Sequence, residues 1–155
     1  KGMRHLADSR IVHRDLAARN ILMTTDYTPK ISNFGFSRHA YEESLYQKLT
    51  PGKSSTPWLA IESLTDGLYT TMSDVWSFAV VMWEIETGGG IPYEEYKLTE
   101  LIDQLKKGHR LSKPKDTSDE TYKLMLQCWD KYPDNRPTFQ KILEIIQMQL
   151  KIMSL

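Results

Sequence analysis

The chain has 155 residues, 40% of them hydrophobic and 26% charged, and its 20 basic and 20 acidic residues cancel. This is the ordinary make-up of a globular domain long enough to bury a core, and the balanced charge gives no reason to expect nucleic acid or an anionic membrane surface as a partner. Cys128 is the single cysteine, which excludes an internal disulfide and suits a reducing compartment.

In chain order, Lys1 to Asp8 read as the last turns of a helix. A polar, charged loop follows from His13 to Asn20. Ile21–Met23 and Lys30–Ser32 are short apolar runs on either side of Asp26-Tyr27-Thr28-Pro29, so a small hairpin is expected. From Asn33 to about Pro57 there is no periodicity, and a loop of that length in a compact domain is usually functional or disordered. A helix capped by Thr71 or Ser73 is expected to run to about Thr87, stopped by Gly88-Gly89-Gly90. Val75, Trp76, Phe78, Val80, Met82 and Ile85 cover nearly all of its circumference, the pattern of a central core helix. The apolar stretch there, Val75 to Ile85 with Ser77 and Glu84 inside it, falls short of the roughly 20 residues that cross a bilayer. Leu98–Lys107 reads as an amphipathic surface helix ended by Gly108. Another starts at Ser118 and runs through Trp129, with Glu120 near its positive end. Pro137 is expected in the first turn of a last helix that carries Phe139, Ile142, Ile145 and Leu150. The sum is a mainly α fold with one small β element near the front.

The chemistry is concentrated in His13-Arg14-Asp15-Leu16-Ala17-Ala18-Arg19-Asn20. Asn33-Phe34-Gly35 follows, then Trp58-Leu59-Ala60-Ile61-Glu62, then Ser73-Asp74-Val75-Trp76-Ser77-Phe78. In order and spacing these motifs resemble the catalytic half of a protein kinase, and the resemblance runs over the whole chain. It implies a helical C-terminal lobe, with a small hairpin beside a catalytic loop at 13–20, an activation segment at 33–62 and a helical subdomain at 70–150.

The resemblance also implies roles. Asp15 would take or orient the proton of the acceptor hydroxyl, and Arg19 belongs to the same catalytic loop. Asn20 would offer a neutral oxygen to magnesium, with Asn33 as the second metal and nucleotide position. Arg14 would meet a phosphorylated residue of the activation loop, with Tyr41 and Tyr46 as the candidates. His13 reads as structural. Asp74 would hold the backbone of the His13-Arg14 turn, and Glu62 would pair with Arg136. ATP and Mg2+ are the implied cofactors of the complete domain. A tyrosine-bearing protein is the implied substrate.

Ala17-Ala18-Arg19 between Asp15 and Asn20 is similar to the tyrosine-kinase version of this loop. Serine/threonine kinases usually carry a lysine at the place of Ala17. Among tyrosine kinases the chain resembles the Ret, Tie and fibroblast-growth-factor receptor group, Ret most. Tyr41-Glu42-Glu43 with Tyr46, Ala60-Ile61-Glu62-Ser63-Leu64, Tyr69-Thr70-Thr71, Gly108-His109-Arg110 and Leu124 to Trp129 carry this. A receptor of that kind would hold the domain on the cytoplasmic side of the plasma membrane, with a second kinase domain as a possible dimer partner. The histidines show no metal-ligand spacing, and Cys128 reads as packing.

The chain also departs from that pattern. Asn33 stands where the family has the metal-binding aspartate. A unit charge at ~4 Å from another is worth about 4 kcal/mol at an effective dielectric of ~20, so a rate loss on the order of a thousandfold is expected. The sequence begins at Lys1 with no Gly-rich loop and no strand lysine before His13, so half of the nucleotide pocket, the N-lobe, is expected to be missing. Ser54-Ser55-Thr56-Pro57 precedes Trp58, where a tyrosine kinase usually has proline at Ser55 and a basic residue at Pro57. Ala79 replaces a usual glycine. Three readings stand side by side: a lobe of an active enzyme, a pseudokinase that works as a scaffold or allosteric partner, and an inactive degenerate product.

Overall fold

A computed structural model describes residues 1–39 and 55–154. Among them the chain forms six α-helices and two short antiparallel strand pairs. The helices are α1 (Gly2–Asp8), α2 (Ile61–Asp66), α3 (Thr71–Glu86), α4 (Leu98–Lys106), α5 (Asp119–Cys128) and α6 (Phe139–Met153). The mainly helical bundle with a hairpin, expected from the sequence, is the fold observed.

Strand β2 (Ile21–Met23) pairs with β3 (Pro29–Ile31), Ile21 opposite Ile31. The turn between them is built from side chains: Thr28 N–H donates to the Thr24 hydroxyl at 3.0 Å, and Asp26 accepts from both threonine hydroxyls. These bonds hold the Asp26 carboxyl below its usual range. The second pair was not foreseen. β1 (Ile11–Val12) meets β4 (Arg38–His39), which ties the chain before the His13–Asn20 loop to the chain after Asn33. A two-residue strand carries too few residues to show a period, so periodicity could not reveal it.

Helix α3 is the axis. Val75, Trp76, Ala79, Val80 and Val81 are all buried, and α3 packs on α5 through Leu124, Met125 and Cys128. Fully burying one such aliphatic side chain contributes about 1.5–3 kcal/mol. Phe78 meets Phe139 of α6 edge to face at 5.7 Å. The helix is not apolar-buried all round, however: Ile85 is 67% exposed near its end. Its cap is Thr70, one residue ahead of the expected Thr71 or Ser73. The Thr70 hydroxyl accepts from Met72 and Ser73 N–H, and Ser73 Oγ takes the Thr70 N–H at 2.7 Å. That closed box fixes the start more firmly than hydrophobic spacing does. At the other end Gly88 (φ 66°) and Gly89 (φ 97°) adopt backbone that L-residues avoid, which stops the helix as expected.

Ser118 caps α5 by accepting from Thr121 N–H, as the sequence suggests. Pro137 lies outside the last helix rather than in its first turn. Thr138 is the cap, accepting from Lys141 N–H, so α6 begins at Phe139. Helix α2 lies where no periodicity marks it, its six residues giving less than two turns of pattern.

Candidate functional site

The loop from His13 to Asn20 runs along one face of α3, and backbone bonds hold it there. Asp74, 2% exposed, accepts His13 N–H at 2.7 Å on Oδ2 and Arg14 N–H at 3.0 Å on Oδ1. Both donors favour the charged carboxylate. Burial opposes them and wins, pushing the carboxyl up to about 7. The turn that Asp74 holds has Arg14 in the left-handed region, φ 73°, a costly conformation for a side chain of that size. Arg14 lays its guanidinium over the Tyr69 ring at 4.3 Å.

His13 is fully buried and plugs the loop from beneath. Its Nε2–H donates to the Ser32 carbonyl at 2.9 Å, and its Nδ1 accepts Asp15 N–H at 3.3 Å. The carbonyl can only accept and the amide can only donate, so the pair fixes the tautomer. Phe34 packs edge-on against the ring at 5.2 Å. The imidazole thus links the 13–20 loop to the chain just before and just after Asn33.

Around Asp15 three side chains converge. Arg19 Nη2 donates to Asp15 Oδ1 at 2.8 Å; Asn20 Nδ2 donates to Oδ2 at 3.0 Å and to the Asp15 carbonyl at 2.6 Å. Asn33 Nδ2 donates to Asp15 Oδ2 at 2.9 Å and to Asn20 Oδ1 at 3.3 Å. The orientations of both amides follow from chemistry, because a carboxylate only accepts. The carboxylate therefore faces three donors, one of them cationic, and Asp15 itself is 8% exposed. Such a group is held in one orientation with its charge spread over N–H bonds.

The same geometry tests the metal. Among the described residues no group of three His, Cys, Asp or Glu converges. Among the described residues the carboxylate that Asn20 and Asn33 bond is that of Asp15, occupied on both oxygens, and Asn33 turns its N–H groups into the cluster. Magnesium takes oxygen ligands in near-octahedral order and draws on one or two carboxylates. This arrangement does not fit it.

Beyond the loop, Arg19 also stacks on Trp58 at 4.5 Å and donates to Ser55 Oγ at 3.2 Å. Pro57 sits in the 3-10 turn Thr56–Trp58. Glu62 and Arg136 form a buried two-point pair at 2.6 and 2.8 Å, far from Asp15 in sequence. Tyr41, Tyr46 and Ser54 lie outside the described residues. Sequence reasoning overlooked Ser77, Trp58 and Glu84. Ser77 Oγ donates to the Trp58 carbonyl at 2.7 Å, and Glu84 accepts from Ala18 N–H and Trp58 Nε1–H. The signal was present, since a carboxylate inside an apolar helix needs buried partners. Cys128 is buried, which pushes its thiol up to about 12 and leaves it inert.

Comparison with known proteins gives this helical lobe a family. The sequence model for the family described as protein tyrosine and serine/threonine kinase matches residues 1–146. The chain belongs to this family. Relatives include the torso tyrosine-protein kinase receptor of Bombyx mori, 52% identical over 91% of the chain. The fibroblast growth factor receptor of Hydra vulgaris is 45% identical over 97%, and fibroblast growth factor receptor 1 of Xenopus laevis is 44% identical over 99%. The fold is that of a kinase C-lobe, and the similarity is to receptor tyrosine kinases. The chain spans 18%, 18% and 19% of the lengths of these three relatives.

Proposed function

We propose that this chain is the catalytic-loop and peptide-binding lobe of a receptor-type tyrosine kinase, and that its own capacity for phosphoryl transfer is weak or absent. The family reaction is ATP-dependent phosphorylation of protein tyrosine. The observation that carries the reading is the Asp15 cluster: the carboxylate is buried, oriented by Arg19 and Asn20, and set on α3 by Asp74, while Asn33 donates to it. Asp15 takes the position of the group that orients an acceptor hydroxyl and receives its proton. Arg19 and Ser55 link it to the Trp58 segment, which would receive the substrate peptide. The set 13–20, 33–62 and 70–150 serves as catalytic loop, activation segment and helical subdomain.

ATP and Mg2+ belong to the complete domain. Leu22, Met23, Phe34 and Phe36, each 47–59% exposed, flank the catalytic loop as an apolar surface that an N-terminal lobe would cover. Arg14 would organise phosphorylated Tyr41 or Tyr46 of the activation segment. The parent protein would place the domain on the cytoplasmic side of the plasma membrane, where a second kinase domain could pair with it. Among the described residues no helix is long and apolar enough to cross a membrane.

A scaffold or allosteric role is the second reading, favoured by the Asn33 amide, whose N–H groups face Asp15 and Asn20 where a metal-binding residue would present an oxygen. The test is transfer of phosphate to a tyrosine peptide. The parent protein with Asn33 is expected to run on the order of a thousandfold slower than its Asn33→Asp variant, and the chain alone is expected to show no transfer with either residue. An ordinary kinase rate with Asn33 in place would overturn the weak-transfer reading.

A further inference from the structure

We propose that Glu84 is a positioning residue that clamps the Trp58 segment to the catalytic loop, so that the substrate platform and Asp15 move as one unit. The inference rests on the reading of Ser55–Trp58 as that platform. Glu84 is on α3, ten residues after Asp74, and is 9% exposed. Its Oε2 accepts two donors at once: Ala18 N–H at 2.9 Å and Trp58 Nε1–H at 2.8 Å. One donor belongs to the catalytic loop and the other to the activation segment, 40 residues on. Hydrogen bonds to an ionised acceptor are about twice as strong as neutral ones, and a single oxygen shared by two donors ties their positions together.

The surroundings extend the tie. Trp58 is held from the other side, because Ser77 of α3 donates to its carbonyl at 2.7 Å. Arg19, next in sequence to Ala18, stacks on the Trp58 ring at 4.5 Å while its Nη2 reaches Asp15 at 2.8 Å and Ser55 at 3.2 Å. A path of direct contacts therefore runs from Glu84 through Trp58 and Arg19 to the Asp15 carboxylate. Glu84 touches neither the acceptor position nor Asp15, and acts on them through these two segments.

Amide and indole hydrogen exchange, followed by NMR on the chain, reads this without any catalytic activity. In Glu84→Ala, exchange at Ala18 N–H and at Trp58 Nε1–H is expected to speed up by about tenfold or more, the loss of one charge-assisted bond at each. Glu84→Gln keeps an acceptor oxygen at that place and is expected to restore most of the protection. The decisive variant is Trp58→Phe, which keeps an aromatic face for Arg19 but removes the indole donor. It is expected to speed exchange at Ala18 as well, though Ala18 keeps its own bond. Unchanged exchange at Ala18 in Trp58→Phe would overturn the clamp, since the two bonds would then be independent. So would unchanged exchange at both sites in Glu84→Ala. Titration with a tyrosine peptide separates the two levels: if the exchange behaves as expected and no such peptide binds, the clamp stands and the substrate reading falls.

Discussion

At Asn33 one side-chain group decides how the cluster is held together. Its backbone lies in the left-handed region, φ 63° and ψ 58°, which both asparagine and aspartate adopt with little strain. Asn33→Asp therefore changes the side-chain chemistry and leaves the backbone alone. As asparagine it bonds Asp15 Oδ2 at 2.9 Å and Asn20 Oδ1 at 3.3 Å. As aspartate it would turn an acceptor on an acceptor, two carboxylates in hydrogen-bond range, with only N–H groups of Asn20 and Arg19 to spread the charge. Residue 33 is exposed, so water screens much of that repulsion and up to about 1 kcal/mol is the scale to expect. For a domain of this size that is a loss of about 2–4 °C in Tm at most. The expected outcome is a melt of Asn33→Asp that falls by this amount in chelator and recovers when magnesium is added, while the unsubstituted chain melts alike in both. Equal melts of the two proteins under both conditions would show that the Asn33 amide does not hold the cluster together.

Helix α3 acts through three polar side chains set into an apolar element. Asp74, Ser77 and Glu84 are three and seven residues apart, which places them along one face of a helix. Each holds a segment outside the α-helices and strands: the His13-Arg14 turn, the Trp58 carbonyl, and the Ala18 amide with the Trp58 indole. For Asp74 this has a pH signature. The carboxyl has an unfolded value of 3.8 and a folded value of about 7, so between these the native chain holds a proton that the unfolded chain has released. Its contribution to stability is full below the unfolded value and is lost as pH rises through about 7. The size is on the order of 4 kcal/mol. Denaturant unfolding at about pH 4 and about pH 8 is expected to show the advantage of the native chain over Asp74→Asn shrinking as pH rises. A gap that grew with pH would mean the two N–H bonds, rather than burial, set the protonation of Asp74. The sequence made this face only partly legible. The octapeptide 13–20, the hairpin and the long helices were readable because motif order and period 3.6 extend over many residues. The β1–β4 pair, α2 and the Thr70 cap were not, because one or two residues, or a single hydroxyl, decide them. Asp74 was readable from its motif, whereas Glu84 was passed over as an interruption in an apolar run, since its partners lie 66 and 26 residues away.

On the scale of the molecule, a buried ion pair joins α2 to the chain ahead of α6. Arg136, 4% exposed, meets Glu62 on both oxygens at 2.6 and 2.8 Å, and two further donors go to the Met72 and Asp130 carbonyls at 2.9 Å. It thereby connects α2, the start of α3 and the chain ahead of α6. Its guanidinium also faces the ring of Trp76 at 5.1 Å, in the middle of the core. A pair like this adds little over a well-packed apolar pair, but removing one member leaves the other charged, buried and unmatched. Arg136→Ala is expected to cost about 3–5 kcal/mol, a fifth or more of the roughly 5–15 kcal/mol that a domain of this kind has in total. Replacing both members, as Glu62→Leu with Arg136→Met, removes the stranded charge. It also leaves two carbonyls without their donor, so the double variant is expected to recover part of the loss and not all of it. Urea unfolding of the two single variants and the double one measures this as a coupling energy. A double variant as unstable as the sum of the singles would mean that Arg136 acts through its carbonyl bonds alone and that Glu62 is incidental to the joint.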